Sequence, residues 1–164
     1  MAVASSAQPL TIIVPTRNRY PRLLRLLRYA QSVTPRYPIM ILDSSSDTME
    51  SEVLREHFRH RDVRVMRYAP DSTPFAKILD GITRVQTPYA VLWADDDFLV
   101  PQALAHGVEY LERSPDFSVV HGIGVLFECA VVRGTRQVRC DPYVQRSVTA
   151  PTSAARLLDH WSSY

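Results

Sequence analysis

Tyr89-Ala90-Val91-Leu92-Trp93-Ala94-Asp95-Asp96-Asp97 runs from an apolar stretch straight into three consecutive carboxylates. A short apolar run of this kind reads as a buried strand. Three adjacent carboxylates at its end repel one another and call for positive charge nearby. A divalent cation carrying a phosphate is the most economical source. An acidic surface turn, or a set of helix-capping aspartates, is the plainer alternative. In an extended segment side chains alternate, so Asp95 and Asp97 are expected on one side and Asp96 on the other. Two carboxylates on one side suit a hard cation such as Mg2+ or Mn2+, which prefers oxygen ligands. Such an ion bridging a diphosphate stabilises the charge that develops as the diphosphate leaves.

The pattern around this strand sets the fold class. Leu10 to Val14 is a β-branched apolar run closed by Pro15, the first buried strand. From Pro21 onward, Leu23, Leu26, Leu27, Ala30 and Val33 recur at helical spacing, with Arg22, Arg25 and Arg28 on another face. Ile39 to Leu42 is the second strand, followed by Asp43-Ser44-Ser45-Ser46. Asp47 with Glu50 forms a capping-box pattern for a helix running to about His60. Val63 to Tyr68 is the third strand. Asp71-Ser72-Thr73-Pro74 opens a further helix, whose apolar face is expected at Phe75, Ile78, Leu79, Ile82 and Val85. Pro101 to about Arg113 continues as helix, and Phe117 to Val120 reads as a strand. Val125 to Val132 and Arg136 to Cys140 form a hairpin around Arg133-Gly134-Thr135, before a last helix over about Thr152 to Trp161.

Alternating strands and helices predict an α/β fold, a mainly parallel sheet with helices on both faces. Ligands of such sheets bind outside the C-terminal strand ends. The segments there are Pro15 to Arg19, Asp43 to Asp47, Ala69 to Thr73 and Asp95 to Asp97, all polar. The first offers hydroxyl, guanidinium and amide groups to a nucleotide, or serves as a helix-entry loop with solvated arginines. Asp43 can accept hydrogen bonds from a base or ribose, or simply begin the serine-rich turn. Lys77 can reach a phosphate or stand in solvent. No glycine-rich phosphate loop is present, so phosphates would be held by metal and side chains.

Composition excludes several classes. The 164 residues are 46% hydrophobic and 22% charged, enough for a core, and the formal net charge of +2 demands neither nucleic acid nor an anionic membrane. No run approaches the ~20 apolar residues that span a bilayer. Met1 to Pro9 lacks the regions of a signal peptide. Cys129 and Cys140 show no zinc spacing and are expected as reduced thiols, in keeping with a cytoplasmic location. His57, His60, His106, His121 and His160 are scattered, and His121 is expected to follow a buried strand. Ser44 to Ser46 lacks a nucleophile elbow.

Three motifs carry a resemblance. Thr11-Ile12-Ile13-Val14-Pro15-Thr16-Arg17-Asn18-Arg19 resembles the opening strand and loop of GT-A glycosyltransferases of the family-two type. Ile41-Leu42-Asp43-Ser44-Ser45-Ser46-Asp47 is similar to their second-strand motif, without its paired aspartates and glycine. Val91 to Asp97 looks like their DXD motif. The resemblance covers about the first 115 residues and implies a GT-A, Rossmann-like sheet. It implies a nucleotide-diphosphate sugar donor, of UDP or GDP type, and a divalent metal, Mn2+ or Mg2+. By motif, Pro15, Thr16 and Arg17 line the nucleoside pocket and Asp43 contacts the base. Lys77 falls near the basic position that often precedes the metal site. Asp95 or Asp96 meets the ribose or the metal shell, and Asp97 ligates the metal. Such enzymes usually invert, a carboxylate base deprotonating the acceptor hydroxyl.

The expected division is a flexible 1–9, a nucleotide-sugar core over 10–115 and the start of an acceptor side over 116–164. Glu128, Asp141 and Asp159 are the downstream carboxylates, and the family's base is expected beyond Tyr164. A nucleotidyltransferase on a related scaffold and a non-catalytic nucleotide- or metal-binding module are the alternatives.

Overall fold

The computed structural model describes residues 9–46, 63–143 and 146–162. The helix expected from Asp47 to about His60, with its capping pattern, lies outside the described residues. Two compact units divide the chain, Met1–Val108 and Glu109–Tyr164.

The first unit is built on four parallel strands in the order β3-β2-β1-β4: β1 (Leu10–Thr16), β2 (Ile39–Asp43), β3 (Val63–Arg67) and β4 (Tyr89–Leu92). Register places Thr16 opposite Asp43 and Asp43 opposite Arg67. Helices α1 (Tyr20–Ser32), α2 (Pro74–Thr83) and α3 (Pro101–Arg113) follow β1, β3 and β4. Side-chain alternation along the central strands produces two cores. Ile12, Val14, Ile39 and Ile41 face α1 through Leu23, Leu26 and Leu27, and Leu104 and Val108 of α3 join that layer. Ile13, Met40 and Leu42 face the opposite way and meet Ile78 of α2 and Val85. The expected parallel sheet with helices on both faces is present.

One face is corrected. Phe75, Leu79 and Ile82 of α2 are 80%, 65% and 48% exposed, and the buried residues of that helix are Lys77 and Gly81. The helix seats Gly81 against Leu42, where a Cβ would fall 2.7 Å from the Leu42 Cδ1. That close seat turns the small, polar-headed stripe inward and leaves most of the apolar ridge outside. Thr73 caps the helix, its hydroxyl accepting from the Ala76 amide at 3.2 Å.

The second unit carries the antiparallel hairpin β5 (Val125–Val132) and β6 (Thr135–Pro142), then helix α4 (Ser153–Trp161). Arg133 and Gly134 take positive φ at the hairpin turn. Cys129 lies opposite Val138 and Cys140 opposite Phe127, and both thiols are free. Phe117 to Val120 is not a strand, and His121 is exposed. A β-branched run supplies strand propensity, but among the described residues this one has no neighbouring strand to pair with.

Candidate functional site

The C-terminal ends of β1, β2 and β4 converge. Thr16, the last residue of β1, is buried, and its hydroxyl donates to Asp95 Oδ2 at 2.8 Å. Its carbonyl accepts from the Ser44 amide at 3.2 Å and from Lys77 Nζ at 2.7 Å. Lys77 also donates to the Ser44 hydroxyl at 2.8 Å. Asn18 holds φ at 53°, a left-handed conformation that asparagine tolerates. That turn aims the Asn18 amide at Ser45 Oγ (2.7 Å), while Asn18 Oδ1 accepts from the Ser46 amide at 3.0 Å. Two loops distant in sequence are thereby laced side by side.

Asp43 is 1% exposed and fully engaged. Oδ1 accepts from the Ser45 amide at 2.8 Å, and Oδ2 accepts from the Tyr20 hydroxyl at 2.9 Å and from Arg67 Nη1. Arg67 in turn donates to the Tyr20 hydroxyl at 2.9 Å, and this bond, with the charge of Asp43, holds the guanidinium above its ordinary range against the opposing effect of burial.

The acidic segment is a turn, not an extended strand end. The Asp97 amide donates to the Ala94 carbonyl at 3.2 Å, so the expected alternation of Asp95 and Asp97 against Asp96 does not apply. The turn is fastened to the protein on both sides. Trp93 Nε1 donates to the Asp97 carbonyl at 3.1 Å, and Tyr29, which donates to the Leu99 carbonyl at 2.7 Å, packs edge-on against Trp93 and Phe98. Asp95 is 4% exposed, with Oδ1 accepting from Arg19 Nη1 at 3.1 Å. Asp96 pairs with Arg22 at 2.7 Å and Arg19 at 3.4 Å. Arginines at the start of α1 thus supply positive charge to two of the three carboxylates. Asp97 is exposed, and its carboxylate makes no hydrogen bond or ion pair among the described residues.

Lys77 is neither solvated nor pointed outward; it is 3% exposed, beneath the two loops. Burial lowers its pKa, Asp43 and Asp95 oppose that shift, and Arg17 adds to it. Arg17 itself is exposed and Pro15 half-buried. Of the sequence-derived set, Thr16, Asp43, Lys77 and Asp95 share one network, Asp96 joins it through Arg19, and the Arg17 and Asp97 side chains make no hydrogen bond or ion pair among the described residues. Tyr20, Ser44, Ser45, Arg22 and Arg67 belong to the network and were not singled out. Their only signal was position: each lies at, or just beyond, a strand end or helix start that borders the site. Among the described residues no three His, Cys, Asp or Glu side chains group as metal ligands. No buried side-chain nitrogen or oxygen among them lacks a hydrogen-bond partner.

Residues 11–147 match the family model described as Glycosyl transferase family 2. The chain belongs to glycosyl transferase family 2. Solved structures share the fold of this family 2 chain. The crystal structure of S. aureus TarS 1-349 has a TM-score of 0.58 at 15% identity, covering 87% of this chain and 40% of that one. The S. aureus TarS 1-349 structure in complex with UDP-GlcNAc has a TM-score of 0.57 at 17% identity, covering 87% and 38%. A further TarS structure has a TM-score of 0.55 at 15% identity, covering 65% and 20%. The family 2 chain therefore spans two fifths or less of the length of these structures. No curated protein sequence matches it.

Proposed function

We propose that this chain forms the donor side of a glycosyltransferase that takes a nucleotide-diphosphate sugar, of UDP or GDP type. The observation that carries the reading is the Thr16–Asp95 hydrogen bond, which joins the first loop to the acidic turn at the C-terminal edge of a family 2 sheet. The nucleoside lies against Pro15, Thr16 and Arg17. Asp43 borders the base, and because its oxygens already accept three hydrogen bonds it acts through the groups it holds, Tyr20, Arg67 and the Ser45 amide. Asp95 and Asp96 frame the ribose and the start of the diphosphate. The UDP-GlcNAc bound to the TarS 1-349 structure is a donor of this kind.

The donor set at the turn fits a hard divalent cation, Mn2+ or Mg2+, in a restricted way. Asp97 offers a free carboxylate, whereas both oxygens of Asp95 are committed to Thr16 and Arg19. Asp97 would thus be the principal protein ligand and Asp95 the second carboxylate of the turn, and oxygen ligands from the substrate would suit a hard cation. When bound, the ion supplies Lewis-acid stabilisation of the leaving diphosphate. Arg17 adds exposed positive charge beside the same edge. Transfer is a single displacement: the acceptor hydroxyl bonds to the anomeric carbon, the carbon–phosphate-oxygen bond breaks, and the configuration inverts. The hydroxyl proton passes to a carboxylate base of the acceptor side. Within this chain Asp141 and Asp159 are paired with Arg139 and Arg146. Residues 10–115 are the donor core in this reading, and 116–164 begin the acceptor side.

Calorimetry with UDP and GDP, with and without Mn2+, tests the site. One diphosphate should bind, more tightly with metal, and Asp97→Ala should abolish the metal-dependent part. Absence of binding by every nucleotide diphosphate in the presence of Mn2+ would sink the proposal.

A further inference from the structure

Lys77 is the only lysine of the chain, and it is buried. Taking an ammonium out of water is costly, and an apolar side chain of similar length would fill the same space without that cost. Two bonds of the Lys77 ammonium are visible, to the Thr16 carbonyl at 2.7 Å and to the Ser44 hydroxyl at 2.8 Å. These acceptors close β1 and begin the loop after β2, while Lys77 itself belongs to α2. Each acceptor has a consequence at the surface. Thr16 directs its hydroxyl to Asp95, and Ser44 precedes Ser45, which receives the Asn18 amide. Buried Asp43 and Asp95 are the carboxylates that act on the ammonium, and Arg17 is the opposing cation.

We propose that Lys77 is a positioning residue of the nucleotide site: it sets the first loop against the second through Thr16 and Ser44, and does not touch phosphate. The inference rests on the nucleotide-binding reading above. Its chemical consequence is specific. A lysine that ligated phosphate would matter to a diphosphate and not to the nucleoside alone. A lysine that shapes the loops matters equally to both, because the nucleoside lies on those loops.

Uridine and UDP are the probes, titrated in Mn2+ against wild type first. Binding of UDP by wild type upholds the nucleotide reading; should GDP bind in its place, guanosine and GDP are the probes throughout, and no binding by either diphosphate overturns that reading and this inference with it. Lys77→Met should then weaken uridine and UDP by a common factor of about tenfold, which is about 1.4 kcal/mol lost equally by both. The urea midpoint, measured alongside, reports folding separately. A loss confined to UDP would assign Lys77 to the phosphate and overturn the proposal. A lowered midpoint with both affinities unchanged would do the same, as would no change at all. Should Lys77→Met not fold, Ser44→Ala provides the second arm, since it removes one acceptor and keeps the ammonium. It should weaken both probes by one shared, smaller factor, and unaltered affinities in that variant overturn the proposal.

Discussion

Asp43, Asp95 and Asp97 are chemically identical side chains with three different situations. The first accepts a backbone amide, a phenol and a guanidinium; the second accepts a hydroxyl and a guanidinium; the third is free at the surface among the described residues. Their sequence positions announced strand ends, and that much was legible. The saturation of the first two was not, because it depends on Tyr20, Arg19 and Arg67, which reach the carboxylates only once the sheet has brought separate strand ends together. Tyr68 shows the same dependence and gives a measurable pH effect. Its hydroxyl donates to Asp80 at 2.6 Å, and burial, then that bond, push its pKa up to about 12 from an ordinary 10.0. A raised phenol pKa means that the fold favours the protonated form. The stabilisation is complete below about pH 10 and is lost as pH rises toward about 12. Wild type should therefore lose stability relative to Tyr68→Phe across that window, in parallel urea melts. A constant difference from pH 9 to pH 12 would refute the assignment.

At the level of elements, β1, β2, β4 and α3 could be read from apolar runs and proline punctuation, and their observed bounds differ from the reading by a few residues at most. Helix α2 could be found but not oriented. Periodicity identifies an apolar ridge, yet it cannot reveal that Gly81 permits the closest approach to Leu42, which decides the face that turns inward. Phe117 to Val120 failed differently, since strand propensity describes a fit to neighbours that this run lacks among the described residues. The orientation of α2 is testable by a pair of variants. Gly81→Val drives a branched side chain into Leu42 and should cost about 1–3 kcal/mol. Leu79→Gln alters a residue that is 65% exposed and should stay within about 0.5 kcal/mol of wild type. Denaturant melts that reverse this order would place the helix the other way round.

For the molecule as a whole, the proposed donor site and the hairpin fall in different units of the chain. Thr16, Asp43, Ser44, Lys77, Arg67 and Asp95 to Asp97 all lie in the first. A fragment of residues 1–115, which keeps α3 entire, should unfold cooperatively and bind UDP within about threefold of the full chain, under half a decade on the affinity scale. Loss of binding in a folded fragment would refute the assignment of the proposed donor site to the first unit. The single buried lysine carries a practical consequence for the intact protein. Reagents that acylate amines find no exposed lysine to modify, so beyond the chain's own amino terminus they are silent until α2 lifts from the sheet. The rate at which Lys77 becomes acylated is then a clock for the opening of the loops it holds, and a nucleotide bound at the proposed site should slow it.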